Sequence, residues 1–275
     1  MPFDSERRAA EAAARAAAAF IRSHAGGLSI DDLRAKGVHD LVSFVDEGAQ
    51  RIVLDALRQT FPDDTLVGEE GADATLDLDR GRVWIVDPLD GTTNFAHNVP
   101  PYAVSIGLRG GGVGEVGVVL EVASGELFSA ARGVGLTVDG APAAVSDTVR
   151  LDDALLATGF PFRDYRWMDG YLETAEALMR STRGLRRHGA AAIDLAWTAA
   201  GRFDGFFEAG LAPWDVAAGV VLVEAAGGTV AGLWDGADPV TTGGLVAAAP
   251  GIADALRAAT APLGVSFRNA MESPA

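Results

Sequence analysis

Four consecutive apolar residues, Val83-Trp84-Ile85-Val86, run without a break into Asp87-Pro88-Leu89-Asp90-Gly91. A strand that is apolar on both faces is covered on both faces, so it belongs inside a layered sheet rather than at a surface. Two carboxylates are therefore delivered straight from the end of a buried strand, where ligand sites of layered α/β proteins gather. Pro88 stiffens the connection by fixing its own φ. Gly91-Thr92-Thr93 reads as the first turn of a short helix, whose free N–H groups suit a phosphate, and Thr92 adds a hydroxyl. Asp, Pro and Gly are also ordinary turn residues, so this segment alone leaves a tight turn and a ligand site level.

The elements around it are legible from periodicity and punctuation. Residues 5–24 read as an amphipathic helix, residues 26–40 as a loop or weak hairpin, and residues 46–60 as a helix stopped by Phe61-Pro62. Short strands are expected at 65–67 and 83–86, with three or four more between 103 and 138. The second half alternates: strands near 154–158, 205–208 and 244–249, and helices near 167–180, 190–201, 215–226 and 252–259. Strands clustered early and alternating with helices later predict an α+β fold of sheets covered by helices.

Composition narrows the chemistry. With no cysteine, thiolate nucleophiles, disulfides and zinc–thiolate sites are excluded. His24, His39, His97 and His188 are scattered without metal-ligand spacing, so a metal site here is made of carboxylates, which suit Mg²⁺, Mn²⁺ or Ca²⁺. The formal charge of −16 argues against nucleic-acid binding. An anionic substrate is still admissible where a bound divalent cation dominates the local field. No apolar run is long enough to span a bilayer and the opening residues do not read as a signal peptide, so a cytoplasmic location is expected. Of 22 basic residues only Lys36 is a lysine, which marks it as a candidate for a compact ammonium near a site.

Other carboxylates sit in comparable settings. Val67-Gly68-Glu69-Glu70 repeats the pattern of strand, glycine and paired acids. Asp215 in Pro213-Trp214-Asp215 opens an apolar helix, where an N-cap is the plainer use. Asp40 and Asp46 flank Leu41-Val42-Ser43-Phe44-Val45. In chain order, Lys36, DLVSFVD (40–46), GEE (68–70), DPLDGTTNF (87–95), GAAAIDLA (189–196), FFEAG (206–210) and WDVAAG (214–219) together resemble the inositol monophosphatase family of metal-dependent, lithium-sensitive phosphatases. The resemblance runs from about Lys36 to Gly228, and its most specific parts are DPLDGTTNF and WDVAAG.

The resemblance implies a layered αβαβα sandwich acting as one catalytic unit, with subdomains of about 1–145 and 146–275, and a homodimer. It implies a small phosphorylated metabolite as substrate and two or three Mg²⁺ ions, with Mn²⁺ an alternative. Glu70, Asp87 and the carbonyl of Leu89 would hold one ion, Asp87, Asp90 and Asp215 a second, and a third would rest near Glu70. Thr92 and Asp46, with Glu70, would orient and activate a water. Gly91 and Thr92 would bind phosphate oxygens, Gly189 and Ala190 would line the substrate, and Glu208 would meet its hydroxyls. Lys36 matches a family lysine near the metals.

Two positions depart from the family pattern: Ala190, where the family often has Ser or Thr, and Gln50, where it often has Glu. The leading substrate is inositol-1-phosphate. Fructose-1,6-bisphosphate, histidinol phosphate and 3′(2′),5′-bisphosphate nucleotides are the alternatives within the superfamily. A binding or regulatory protein that kept the fold is the alternative outside catalysis.

Overall fold

The structure is a computed structural model that describes residues 2–26, 33–37, 40–72, 77–162 and 164–273, those at 33–37 and 40–42 by backbone alone. Helix α1 (Asp4–Ser23) turns an alanine face inward, with Ala10, Ala14, Ala17 and Ala18 buried beside Ile21. Strands β1 (Leu33–Gly37) and β2 (Asp40–Ser43) pair antiparallel as a hairpin. Helix α2 (Phe44–Thr60) begins two residues before the expected start because Ser43 caps it. The Val45 N–H donates to Ser43 Oγ (3.1 Å), and Asp46 in the first turn accepts from the Ser43 N–H (2.8 Å).

A seven-stranded sheet follows in chain order: β3 (Thr65–Gly68), β4 (Arg82–Asp90), β5 (Ala103–Gly110), β6 (Val113–Glu121), β7 (Leu127–Ala131), β8 (Gly135–Val138) and β9 (Ala141–Ala143). The β3–β4 pair is parallel and the β4–β5 pair is antiparallel. Strand β4 does not stop at Val86 as its apolar run suggests. It continues to Asp90 through a bulge, since Asp87 faces Ser105 while Asp90 faces Ala103. Pro88, which has no N–H to give a ladder, falls inside that bulge. The short helix α3 (Thr92–Ala96) leaves directly from it.

The second sheet has the order β11-β10-β12-β14-β13, from β10 (Leu155–Thr158), β11 (Gly184–Arg186), β12 (Gly205–Ala209), β13 (Thr229–Gly232) and β14 (Gly244–Ala248). Helices α4 (Met168–Ser181), α5 (Ala191–Ala199), α6 (Pro213–Ala225), α7 (Pro239–Thr242), α8 (Ala253–Ala259) and α9 (Ala261–Glu272) complete the chain. Four of these elements, β11, β13, α7 and α9, have no counterpart in the sequence reading. The two strands are only three and four residues long, and α9 carries Pro262 in its first turn and Gly264 soon after.

Alternation along the strands assigns the layers. Trp84 and Val86 pack with Ile21, Leu57 and Ile106 under α1 and α2. Val83 and Ile85 point the other way, into a core shared with Ile193, Val216, Leu222 and Phe206, so α5 and α6 lie between the two sheets. Phe207, one residue on from Phe206, joins Leu178, Leu256 and Phe267 of α4, α8 and α9 on the far face. The result is an αβαβα stack with three apolar cores, each large side chain sealed there contributing about 1.5–3 kcal/mol. Among the described residues no helix is long and apolar enough to cross a membrane.

Candidate active site

The β4 bulge, the start of α6 and the start of α5 converge. Asp87, Asp90 and Asp215 each offer a carboxylate oxygen, and these atoms lie within 4.8 Å of one another. They are 2%, 8% and 7% exposed. Asp87 Oδ1 accepts from the Leu89 N–H across the bulge (2.9 Å), and Asp90 Oδ2 from the Ala192 N–H at the head of α5 (2.8 Å). Asp215 is not the N-cap that its place before an apolar helix suggests. Helix α6 starts two residues earlier at Pro213, and the Asp215 carboxylate accepts from the Ala212 N–H (2.7 Å). These backbone donors aim the carboxylates without neutralising them.

Burial raises the pKa of Asp87 well above the ordinary carboxylate value, and the charges of Glu69, Asp90 and Asp215 add to it. Burial does the same to Asp90, followed by the charge of Asp215. A buried cluster of like charges strains against itself unless protons or a cation join it. Its donors are all oxygen and its geometry is convergent, which fits a hard divalent cation.

Beside it, Thr92 Oγ1 lies 2.9 Å from Asp46 Oδ1 and 3.1 Å from the Leu89 carbonyl, so its one proton serves either acceptor. Asp46 is fully buried, and its other oxygen accepts from Ser43 Oγ (2.7 Å) and from the Ser43 N–H. Burial raises the pKa of Asp46, opposed by the Ser43 and Thr92 hydrogen bonds. Gly91 precedes α3 at φ 86°, a left-handed conformation that only glycine adopts freely, and so turns the chain from bulge to helix in one residue.

A cavity of about 800 Å³ opens over these groups, lined by Glu69, Asp87, Gly91, Thr92, Asp215 and Glu208, and by Gly189 and Ala190. Burial pushes the Glu208 pKa well up, reinforced by the charges of Asp194 and Asp215 and opposed by Arg187. The rest of the lining is aromatic, with Phe160, Phe162, Tyr165 and Trp167, and with the Arg187 guanidinium 5.1 Å from the Phe162 ring centre and 5.5 Å from that of Phe160.

The paired glutamates go opposite ways, as neighbours leaving a strand do. Glu69 lines the cavity and its charge acts on Asp46, Asp87 and Asp90. Glu70, the glutamate expected there, lines a separate depression of about 490 Å³ with Gln50, Arg51 and Arg58. Of the pair it is Glu69, and not the expected Glu70, that the structure places at the cavity over the carboxylate cluster. The side chain of Lys36 lies outside the described residues.

Two further contacts escaped the sequence reading. Asn94 Nδ2 donates to the carbonyls of Pro101 and His188 (2.8 Å each), tying α3 to the segment before α5. His188 Nδ1 is 2.7 Å from Asp194 Oδ1, with its ring against Trp197 and Phe203. Asp194 has its pKa raised to about 6 by burial, with His188 opposing. Asn94 and Asp194 both sit inside segments the motifs already mark, which was the only available signal.

A sequence model of the inositol monophosphatase family matches residues 4–263. The Nus factor SuhB of Escherichia coli K12 is 42% identical over 223 residues, covering 81% of this chain and 83% of that protein. The extragenic suppressor protein suhB of Bartonella henselae superposes with a TM-score of 0.85 at 36% identity, over 92% of this chain and 97% of that one. The inositol monophosphatase of Anabaena superposes at 0.82 with 35% identity, over 99% and 97%.

Proposed function

Because this chain belongs to the inositol monophosphatase family, we propose that it hydrolyses the phosphate monoester of a small metabolite, with inositol-1-phosphate as the leading substrate. The observation that carries the reading is the buried trio Asp87, Asp90 and Asp215, whose carboxylate oxygens converge within 4.8 Å, beside the Thr92–Asp46 pair. In this proposal Asp87, Asp90, Asp215, Glu69 and the Leu89 carbonyl hold two or three Mg²⁺ ions, and Mn²⁺ suits the same donors. Such ions, when bound, activate a water and neutralise charge on the leaving oxygen.

The chain's own groups do the rest. Thr92 Oγ1 donates to Asp46 Oδ1, which leaves its lone pairs to accept a hydrogen from the attacking water and orient it. Asp46 Oδ1 is placed to receive a proton through that hydroxyl. The Gly91 and Thr92 N–H groups bind phosphate oxygens. Glu208, whose carboxyl pKa burial raises, lines the cavity where a substrate hydroxyl would meet it. Ala190 contributes only its methyl group, so the hydroxyl contact that many family members have is missing here. The cytoplasmic homodimer belongs to the same proposal and rests on the family resemblance.

One observation favours a second substrate. Among the described residues that line the cavity, Arg187 is the single cation. A substrate with a second anionic group, such as fructose-1,6-bisphosphate, would use it.

The test is phosphate release from inositol-1-phosphate, fructose-1,6-bisphosphate, histidinol phosphate and adenosine 3′,5′-bisphosphate, with and without Mg²⁺ and Li⁺. Mg²⁺-dependent, Li⁺-sensitive release led by inositol-1-phosphate supports the proposal, and release led by the bisphosphate moves it to the second substrate. No release from a folded protein refutes catalysis on this panel and turns attention to a role of the kind named for the E. coli relative.

A further inference from the structure

Gln50 sits on α2, one turn after Asp46, so both side chains leave the same face of the helix about 6 Å apart along its axis. Asp46 reaches Thr92, and Gln50 reaches the turn after β3. Gln50 Nε2 donates to the Glu70 carbonyl (2.7 Å), and the Glu70 N–H donates to Gln50 Oε1 (2.8 Å). The side-chain amide thus pairs with both backbone groups of one residue, as a neighbouring strand would, and carries on the ladder that ends when the Glu69 N–H donates to the Val86 carbonyl (3.1 Å). An amide is the side-chain group that offers a donor and an acceptor side by side, whereas a carboxylate in that place only accepts and would set an oxygen against the Glu70 carbonyl.

The fit extends one residue back. A Cβ on Gly68 would fall 2.2 Å from Gln50 Oε1 and 2.4 Å from its Cδ, so the amide rests directly on the glycine backbone. The glycine of the Gly68-Glu69-Glu70 segment is required by this contact. Glu69 is held on both sides, by β4 at its own N–H and by Gln50 at the next residue.

We propose that Gln50 is a positioning residue: its amide locks the Gly68–Glu70 turn so that Glu69 faces the Asp87–Asp90–Asp215 cluster, and α2 thereby sets the metal-ligating glutamate and the Thr92–Asp46 pair from one rigid face. This rests on the proposed metal-dependent chemistry. Groups that hold a ligand in place typically change metal affinity about 10–100-fold when lost.

The test is Mn²⁺ titration of the full chain without substrate, read by electron paramagnetic resonance well below the melting temperature, together with kcat against Mg²⁺ concentration. Gln50→Met keeps the length of the side chain and removes both hydrogen bonds. It is expected to weaken Mn²⁺ binding about tenfold and to raise the Mg²⁺ concentration for half-maximal rate similarly, with kcat at saturating Mg²⁺ within about threefold. Gly68→Ala, which displaces the amide instead of deleting it, is expected to do the same and covers the case in which Gln50→Met does not fold. A merely structural role would lower the melting temperature and leave the affinity of the folded protein alone. Equal Mn²⁺ affinity in wild type and either folded variant overturns the role of Gln50 alone. If wild type itself binds no Mn²⁺, the metal-dependent function falls, and this inference with it.

Discussion

Asp90→Asn is expected to invert the stability order of two proteins when Mg²⁺ is added. Asp87, Asp90 and Asp215 place carboxylate oxygens within 4.8 Å of one another, and two fixed charges at that spacing repel by about 3.5 kcal/mol at an effective permittivity of about 20. The metal-free protein relieves part of this by taking up protons, the direction in which the pKa values of Asp87 and Asp90 are pushed. About 1–3 kcal/mol of destabilisation is left near neutral pH. The amide is isosteric, keeps an oxygen for the Ala192 N–H, and removes one charge from two repelling pairs. In chelator-treated buffer the variant is therefore expected to melt about 2–12 °C above wild type, at about 2–4 °C per kcal/mol for a chain of this size. With Mg²⁺ at about 1,000 times its dissociation constant, wild type gains about 4.1 kcal/mol and the variant gains little, so the order reverses. Differential scanning calorimetry with and without Mg²⁺ reads both arms. A variant that melts below wild type without metal refutes the electrostatic argument. One that gains as much as wild type from Mg²⁺ refutes Asp90 as a ligand.

Three more outcomes separate neighbouring residues. Glu69→Gln is expected to lower turnover at least 100-fold, while Glu70→Gln, on the far side of the turn, changes it less than about threefold; a reversed ranking in the phosphate-release assay refutes the placement of Glu69. Thr92→Val keeps the shape but loses the hydroxyl 2.9 Å from Asp46, and is expected to cost about 10²–10⁴-fold in kcat with Mn²⁺ affinity nearly unchanged, so a comparable loss of both refutes its role with the water. Asp194 has its pKa raised to about 6 by burial, so its neutral form is the one the fold favours. That contribution is complete below about pH 4 and is lost as pH rises through about 6, at most about 3 kcal/mol at about 1.4 kcal/mol per pH unit. Wild type should accordingly lose stability relative to Asp194→Asn between pH 4 and 7 in urea unfolding, and a constant difference across that range refutes the buried-charge reading.

The DPLDGTTNF and WDVAAG segments make most of the candidate site legible in the sequence, because their carboxylates are tied to strong local signals: a doubly apolar strand for Asp87 and Asp90, and an apolar helix for Asp215. The layered α+β class was legible for the same reason, since strand and helix periods in a long chain are hard to mistake. What stayed illegible depended on contacts between distant segments. The apolar run marks β4 only to Val86, and its continuation to Asp90 exists because Ser105 and Ala103 across the ladder accommodate the extra residue. Strand β13 is four residues held by pairing with β14, and α9 reads as helix only once Leu263 and Phe267 have α4 and the outer sheet face to cover.

The choice between Glu69 and Glu70 shows the limit most sharply. Two identical residues side by side carry no local difference, and the pleat at the end of β3 sends them to opposite sides. Which one enters the cavity is decided by the ladder to Val86 and by Gln50, 20 positions upstream. Gln50 is a departure from the family pattern, an amide where the family often has a carboxylate. In place it supplies both hydrogen-bond partners for a turn that otherwise ends without them. The same helix face carries Asp46 to Thr92, so any motion of α2 relative to β4 would shift the glutamate and the water-orienting pair together. Their mutual geometry depends on the first turns of α2, where Val45 and Asp46 are buried behind the Ser43 cap, and on the buried strand β4. A site built in this way would tolerate variation in its rim, such as Ala190 and the aromatic wall around Arg187, without disturbing the groups proposed to hold the metal and the water.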